Sequence, residues 1–324
     1  MNADAVHYYF SGIGNFTVEQ KEKLTLLCTH RLQSCHKEYM RATEDWLFYA
    51  SQHKNQSTIL LDSGAFTAWS KGAEIKLEQL IDSYERLLTK YEHGLKKVWL
   101  INLDKIPGQR GRTAGPEEIE EAIRISDENF NVLVKHFGHR VLPVFHQNES
   151  KERLHEVCAM ANYVCISPRN DVGEKYRISW AAEVHTLLKK EGEEENGRLR
   201  IKTHGLATTG MRMLGNVDWF SADSAWWLQT ALNGSIMYLT HDNSIRTIAI
   251  SDRAGSRKDL EQHFSTLNKK MQEYIVARLA VHGLTPEVAA LHHTPRQLMC
   301  IYEIVEWLKV SKSKPIHYGG LFDL

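Results

Sequence analysis

The amino-acid sequence predicts an α/β protein, a TIM-like (β/α)8 barrel with a C-terminal helical appendage. Short apolar runs rich in Val, Ile and aromatic residues alternate about eight times with amphipathic stretches of helical periodicity. The runs are almost uninterrupted by polar residues, as in parallel strands that are buried on both faces. An open, doubly wound sheet would bury such strands equally well. The number of units and the length of 324 residues favour the barrel.

Strands and helices alternate in this prediction. The strand candidates are Val6–Phe10, Thr58–Leu61, Val98–Leu103, Val141–Phe145, Tyr163–Ile166, Leu199–Thr203, Val217–Phe220, and either Ile236–Leu239 or Ile245–Ile250. The helix candidates between them are Ile75–Tyr91, Pro116–His136, Glu149–Ala161 and Lys175–Glu191. The spacing of Leu24, Cys28, Leu32, Cys35 and Tyr39 is interpreted as the buried face of one further helix.

The sequence after Ser251 consists mainly of long helical stretches. These are Arg257–His282, Thr285–Leu291 and Thr294–Val310, and a Pro follows Thr at the start of the last two. We therefore predict a catalytic barrel domain over residues 1–255. Residues 256–324 are predicted to be helices that complete the barrel and form a small helical cap.

Composition narrows the class of protein. Lys and Arg number 40, as do Asp and Glu, so no whole-molecule field favours a polyanion, and contacts with nucleic acid must be local. The five cysteines are odd in number and widely spread, which is typical of a reducing compartment. The sequence shows neither a long uncharged apolar run nor a signal peptide. We expect a cytoplasmic protein, in the host cytoplasm if it is viral, with no membrane contact.

Polar residues follow the predicted strands at their carboxyl ends, where a barrel places its chemistry. Asp62, Asp104 and Asp223 end three different apolar runs, and His146 and His204 end two more. An Asp after a strand also commonly caps the next helix, which is the alternative for each taken singly. Two carboxylates facing one substrate can act as nucleophile and proton carrier, the arrangement of retaining glycosyl transfer.

An ordered series of motifs resembles the tRNA-guanine transglycosylase superfamily. Residues 62–66, Asp-Ser-Gly-Ala-Phe, are similar to the family's Asp-Ser-Gly-Gly-aromatic motif, and residues 100–104 and 144–146 follow in the family's order. Residues 201–205 and 217–224 resemble its final strands. The stretches 62–69 and 222–227 are most similar to the DpdA-type branch of phages and bacterial genomic islands, which inserts 7-deazaguanines into DNA.

This resemblance implies an enzyme, a pentosyltransferase that exchanges guanine in DNA for a preQ0-type 7-deazaguanine. Asp223 would attack C1′ and form a covalent glycosyl intermediate, and Asp62 would carry the proton at ring N9. Asp104 would accept hydrogen bonds from the guanine edge, with Phe66 and His204 on the two faces of the purine. The other implied base-binding residues are Ser63, Gly64, His146, Ser167, Pro168 and Gly205. Contacts with double-stranded DNA are expected at Arg110, Arg112, Arg169 and Trp226.

The sequence departs from the tRNA enzymes in two places. Their Cys-x-Cys-x-x-Cys zinc site is missing, since Cys300 is the sole cysteine after Cys165. We therefore expect neither zinc nor any other cofactor, and the 7-deazaguanine is a co-substrate. Direct alignment would place Ser221 on the nucleophile, so assigning Asp223 needs a shift of two residues. Asp218 stays as the alternative nucleophile.

Three other functions stay open at this stage. The same exchange could act on tRNA, although the missing zinc motif argues against it. A catalytically silent barrel could bind nucleic acid as a partner subunit, although both Asp62 and Asp223 are present. A metal-dependent barrel hydrolase would need a His-x-His pair, which the sequence lacks. Assembly with copies of itself or with another protein also stays open.

Overall fold

The fold was obtained as a computed structural model. It describes residues 6–109, 112–169, 171–190, 194–195, 198–208, 210–254, 257–258 and 260–311. The chain divides into two compact units. Among the described residues, one comprises Val6–Ser11 and those of Glu19–Ser224, and the other comprises Gly12–Val18 and those from Ala225 onward. We refer to them as the barrel unit and the C-terminal unit.

The barrel unit is built on a parallel sheet with nine strand segments in its described residues. The segments are β1 (His7–Phe10), β2 (His30–Ser34), β3 (Thr58–Asp62), β4 (Lys97–Ile101), β5 (Val141–Leu142), β6 (Val144–His146), β7 (Tyr163–Ser167), β10 (Lys202–Gly205) and β11 (Ser221–Ser224). Two short segments, β8 (Glu194–Glu195) and β9 (Arg198–Leu199), pair separately. The spatial order is β5-β4-β3-β2-β1-β11-β10-β7-β6.

This order closes the sheet on itself. β5 pairs with β4, and β6 pairs with β7 at the other end of the order. Pro143 alone separates β5 from β6, and its carbonyl still accepts the N–H of Cys165. Proline cannot donate to a ladder, so the strand is interrupted there. Counted as one strand, β5 and β6 leave eight positions, and the predicted TIM-like barrel is confirmed.

Helices connect the parallel strands, as right-handed crossovers require. In the barrel unit they are α1 (Val18–Leu27), α2 (Met40–Gln52), α3 (Ala65–Ser70), α4 (Leu77–Tyr91), α5 (Pro116–Phe137), α6 (Lys151–Met160), α7 (Glu174–Lys190) and α8 (Met211–Asn216), with short 3-10 turns at Glu92–Gly94 and Gly138–Arg140. The predictions for α4 to α7 agree with these bounds within about two residues. Val18, the first residue of α1, is assigned to the C-terminal unit.

Three details of the predicted strands are wrong. The stripe from Leu24 to Tyr39 is not one helix, because α1 ends at Leu27 and β2 begins at His30. The last barrel strand is Ser221–Ser224 and not Val217–Phe220. Neither Ile236–Leu239 nor Ile245–Ile250 belongs to the barrel sheet.

The C-terminal unit contains an antiparallel hairpin and helices. Strands β12 (Ser235–Leu239) and β13 (Ile245–Ala249) form the hairpin. The helices are α9 (Trp226–Leu232), α10 (Lys269–Val281), α11 (Pro286–Leu291) and α12 (His293–Ser311), with a 3-10 turn at Phe264–Thr266. The described part of the chain includes no helix that is both long enough and apolar enough to cross a membrane.

An apolar plug fills the interior of the barrel below its carboxyl end. Its buried members are Tyr9, Leu60, Ile101, Leu142, Val144, Tyr163 and Cys165. Packed side chains of this kind make a barrel interior solid, so a substrate can enter only at the rim. The candidate site lies directly above this plug.

Candidate active site

Tyr84 of α4 supports the ends of the two strands that carry Asp62 and Asp104. Its buried hydroxyl lies 3.1 Å from the carbonyl oxygen of Leu61 and 2.8 Å from that of Ile101. The loop after β4 is also held by α5, because Asn129 Nδ2 donates to the Leu103 carbonyl at 2.8 Å. The strand ends are therefore fixed by side chains of the helices that follow them.

Asp62 is the last residue of β3 and begins a tight turn. Its Oδ2 accepts the N–H of Gly64 at 3.1 Å, and its carboxyl group also hydrogen bonds with Ser34. Gly64 has φ +85, and a Cβ there would lie 2.7 Å from the Cβ of His36. This position therefore requires glycine. The buried hydroxyl of Ser63 accepts the N–H of Ala65, the first residue of α3, at 3.3 Å.

Burial raises the pKa of Asp62 from 3.8 to about 7, and the charges of Asp104 and Asp223 act in the same direction. The hydrogen bonds from Ser34 and Gly64 oppose the rise without cancelling it. A carboxyl group with this pKa exchanges its proton readily at neutral pH, as a general acid and base must.

Asp223 lies in β11, whose two neighbours are β1 and β10. Its Oδ1 accepts the N–H of Ala207 at 2.8 Å. Ala207 has φ +50, a left-handed conformation that alanine rarely adopts. Strain of this kind is concentrated at functional sites, and here it aims a backbone donor at a carboxylate.

His204 lies beside Asp223 and is 0% exposed. Its Nε2 is 3.5 Å from Asp223 Oδ1, and its Nδ1 is 2.7 Å from the hydroxyl of Ser221. The rings of Tyr9 and Tyr163 contact it edge-on. A ring without an exposed face cannot stack on a purine, so the stacking role expected for His204 does not fit this position.

Asp104 and His146 form a buried pair across the mouth of the barrel. His146 Nε2 lies 2.8 Å from Asp104 Oδ2. Burial alone would lower the pKa of His146, but the hydrogen bond and charge of Asp104, together with the charge of Glu149, raise it above its ordinary value. Burial raises the pKa of Glu149, whose carboxylate accepts a hydrogen bond from the backbone N–H of His146 at 3.2 Å.

The three aspartates face one region of the barrel. Asp104 and Asp223 both raise the pKa of Asp62, and burial together with all three carboxylates raises that of the Cys165 thiol beneath them. These influences place Asp104 and Asp223 within electrostatic range of Asp62, and all three carboxyl groups within range of Cys165.

A groove of about 690 Å³ opens beside Asp104. Its walls come from α3, the start of α4, the loop after β4, and α5, and they include Trp69, Ile75, Leu103, Lys105 and Ile125. This volume is typical of small-molecule sites. Phe66 is 50% exposed, and its ring lies 5.8 Å from that of Trp69. Phe66 itself does not line the groove, but its exposed ring lies next to Trp69, which does.

The remaining expected base-binding residues lie at the ends of neighbouring strands. Ser167 ends β7, and its carbonyl accepts the N–H of Gln147, while Pro168 is buried. Gly205 ends β10 and is buried. A Cβ on Gly205 would lie 2.4 Å from Thr208 Oγ1, so the turn leading to Ala207 has no room for a side chain there.

The residues expected to contact DNA are placed differently from one another. Arg112 forms a two-pronged ion pair with Glu118, which is the helix-pairing alternative for this side chain. Arg169 pairs with Asp171 at 2.6 Å and also donates to Asn148 and Thr113. Arg110 lies outside the described residues.

Trp226 is the first residue of α9 in the C-terminal unit and is half-buried. Its neighbour Trp227 is fully buried and stacks on Phe16 within the same unit, with ring centroids 6.1 Å apart. Trp227 therefore packs in the core of that unit.

The alternative nucleophile Asp218 lies before β11 begins, at the amino end of that strand. It is exposed and pairs with Lys189 at 3.0 Å. A barrel places its chemistry at the opposite end, where Asp223 stands. Among the described residues, no cluster of three His, Cys, Asp or Glu side chains is arranged to hold a metal ion.

Sequence reasoning missed five residues of the site, which are Ser34, Glu149, Tyr163, Ala207 and Ser221. Ser34 ends a strand that was not predicted, and Ser221 lies in one that was placed four residues too early. The sequence gives a signal only for Glu149, which lies three residues after His146 and is therefore close enough to contact it. Neither the known family models nor the curated proteins give a match to this chain.

Proposed function

We propose that this protein is a transglycosylase that replaces a guanine base in DNA with a 7-deazaguanine through a covalent aspartyl–sugar intermediate. The observation that carries the proposal is the meeting of three strand-end carboxylates, one of which has a pKa of about 7. Two carboxyl groups with different environments can divide the roles of proton carrier and nucleophile. The motif resemblance supplies the substrate class.

In the first displacement, Asp223 attacks C1′ of the deoxyguanosine. The C1′–N9 bond breaks, and Asp62 in its acid form gives the departing guanine a proton at N9. Asp223 is suited to attack because its Oδ1 is held by the Ala207 N–H, which fixes the carboxylate plane.

In the second displacement, the incoming 7-deazaguanine loses its N9 proton to Asp62 and bonds to C1′, and the bond to Asp223 breaks. Two inversions at C1′ retain the β configuration. Asp104 would accept hydrogen bonds from the base edge while His146 holds its second oxygen in place. Phe66, half exposed beside the site, would stack on the base.

A base inside a duplex is out of reach of a site at the bottom of a barrel mouth. The target nucleotide must therefore leave the stack, which costs about a few kcal/mol. DNA is favoured over tRNA by the resemblance of residues 62–69 and 222–227 to the DNA branch and by the missing zinc motif.

The test incubates the full-length chain with radiolabelled guanine and either duplex DNA or tRNA. We expect label to enter DNA, and we expect Asp223→Ala to lose at least about 1,000-fold in exchange rate, since it removes the covalent route. Asp218→Ala is the matched control, because it removes an exposed aspartate on the same segment.

Incorporation of label into tRNA alone would identify tRNA as the substrate and refute the DNA proposal. Nucleic-acid binding without incorporation of label into either would favour the silent binding subunit. Full activity in Asp223→Ala with loss in Asp218→Ala would refute the assigned nucleophile.

A further inference from the structure

A chain of three buried hydroxyl groups and one imidazole leads from the barrel core to Asp223. The hydroxyls of Tyr9 and Tyr163 hydrogen bond, and Tyr163 Oη lies 2.7 Å from Ser221 Oγ. Ser221 Oγ lies 2.7 Å from His204 Nδ1. Ser221 and His204 are both 0% exposed, so bulk water does not compete for these contacts.

Only one arrangement of the protons along this series of hydrogen bonds places a donor next to the Asp223 carboxylate. His204 Nε2 hydrogen bonds to no described residue, and Asp223 Oδ1 lies 3.5 Å away. A lone pair on Nε2 would repel that oxygen, whereas an N–H there would attract it. With the proton on Nε2, Nδ1 must accept, and Ser221 must donate to it. Tyr163 then donates to Ser221, and Tyr9 to Tyr163.

We propose that Ser221 is a positioning residue that fixes the tautomer of His204, so that His204 Nε2–H stabilises the Asp223 carboxylate when the sugar leaves it. This inference rests on the proposed function. Apo distances at catalytic hydrogen bonds are often long and shorten in the complex, so 3.5 Å is a starting distance for this contact.

The two displacements should respond differently to loss of the hydrogen bond from His204 to Asp223. In the first displacement, the Asp223 oxygen that attacks C1′ loses negative charge. A hydrogen bond donated to the other carboxylate oxygen therefore does not increase the rate of adduct formation. In the second, the C1′–O bond breaks and its electron pair returns to the carboxylate, while N9 of the incoming base, having lost its proton to Asp62, bonds to C1′. Donors from Ala207 and His204 stabilise the returning charge. Loss of the tautomer should therefore slow the second step.

The kinetic test measures each step on the full-length chain. Mixing with DNA in the absence of free base gives the rate of adduct formation, and a chase with 7-deazaguanine gives the rate of adduct decay. We expect Ser221→Ala to slow decay about tenfold and to accumulate adduct, since a hydrogen bond to a charged group is lost. Ser221→Thr retains a hydroxyl and should restore decay.

The control is Ser57→Ala, which removes an equally buried hydroxyl (2% exposed) just before β3, at the amino end of the barrel. A purely structural role for Ser221 would slow both steps together. Equal slowing of both steps, or decay at the wild-type rate in Ser221→Ala, would overturn the proposal.

A second measurement is independent of activity. The ¹⁵N signals of His204, assigned by their loss in His204→Gln, report which nitrogen carries the proton. We expect Nε2–H with a bare Nδ1 in the wild type and a mixture of tautomers in Ser221→Ala. A proton on Nδ1 in the wild type would overturn the proposal. If the wild type exchanges no base in any nucleic acid, the proposed function fails while this measurement still decides the role of Ser221.

Discussion

Asp62 has a carboxyl group that the barrel keeps near half ionisation at neutral pH. Burial is the largest cause, and the charges of Asp104 and Asp223 add to it. The same effect must appear in stability, because a pKa that differs between folded and unfolded chains makes the free energy of unfolding depend on pH.

The sign of this dependence follows from the direction of the shift. Below about pH 4, Asp62 is protonated in both the folded and the unfolded chain and has no differential effect. As pH rises toward the folded pKa of about 7, the unfolded chain has already lost this proton while the folded chain retains it. Asp62 therefore lowers stability progressively across this interval, and the full destabilisation is present above pH 7.

Asp62→Asn should consequently stabilise the protein at pH 8 by up to about 4 kcal/mol, with the gain shrinking toward zero near pH 4. Urea unfolding at pH 4, 6 and 8 measures the gain. Asp218→Asn, at an exposed aspartate paired with Lys189, is the matched control for the loss of one carboxylate. A gain for Asp62→Asn that is constant with pH, or one that grows toward low pH, would contradict the pKa of Asp62.

Single residues of the site were predictable where they followed apolar strands. Asp62 and Asp104 come directly after runs that bury well, so their place at the mouth could be read from the sequence. The hydrogen bond from the Ala207 N–H to Asp223 could not, since a backbone donor aimed by a positive φ has no residue signature. Direct alignment points to Ser221 as the position of the nucleophile, but the sequence does not indicate its contacts, because they depend on packing against Tyr163 and His204.

The turn after β10 is the element that presents the Ala207 donor. Gly205 begins it, and an added Cβ would lie 2.4 Å from Thr208 Oγ1 and 2.9 Å from its Cγ2. Thr208 is buried and donates to the Gly205 carbonyl at 2.9 Å, so it cannot move aside freely. We expect Gly205→Ala to cost roughly 1–3 kcal/mol of stability and to reduce exchange by displacing Ala207.

Chemical unfolding together with the exchange assay tests this, with Gly72→Ala as the control. Unlike Gly205, Gly72 has a positive φ (+63), and it has open space around its Cβ position, so Gly72→Ala adds backbone strain without a steric clash. If Gly205→Ala keeps full exchange activity, the Ala207 contact has no role in catalysis.

Variants near the loop after β4 test whether a basic side chain of that loop contacts DNA. Arg112 is paired with Glu118, which also accepts the Gly115 N–H at the start of α5. Glu118→Gln removes the carboxylate charge and keeps an acceptor, so Arg112 becomes available to phosphate. DNA binding at about 50 mM salt should tighten several-fold.

Glu121→Gln is the matched control, since it makes the same charge change on α5 beside Arg124. Fluorescence anisotropy with a labelled duplex at two salt concentrations measures both variants. Equal tightening in the two variants would show that net charge alone matters and that the loop does not contact DNA.

Elements with strong apolar periodicity were predicted well, and those without it were not. Helix α5 begins at the Pro116 that the sequence indicated. β11 has the sequence Ser-Ala-Asp-Ser, which has little strand propensity, and it forms because β1 and β10 pair with it on both sides. The apolar residues Val217 and Trp219 before it pack into an outer core cluster with α7, which explains the misplaced strand.

At the scale of the whole molecule, balanced charge limits how nucleic acid can bind. With Lys and Arg equal to Asp and Glu in number, long-range steering is weak, so the proposed recognition of DNA would depend on local contacts at the mouth of the barrel. The fold class was predictable because the alternation of apolar runs with amphipathic helical stretches is enough to indicate about eight repeated strand–helix units. The sequence pattern assigns the eighth strand to one of the two strands of the β12–β13 hairpin, because the residues of β2 also fit the buried face of a helix.

The central claim is that Asp223 holds the sugar covalently during base exchange. Its most direct test reacts the protein with a DNA duplex in the absence of free base, digests the quenched complex with protease and nuclease, and maps the adduct by mass spectrometry. We predict a nucleotide-derived mass increment on the peptide that contains Asp223, located on that residue and absent in Asp223→Asn. An increment on Asp62, Asp104 or Asp218, or base exchange by Asp223→Asn at the wild-type rate, would contradict the mechanism.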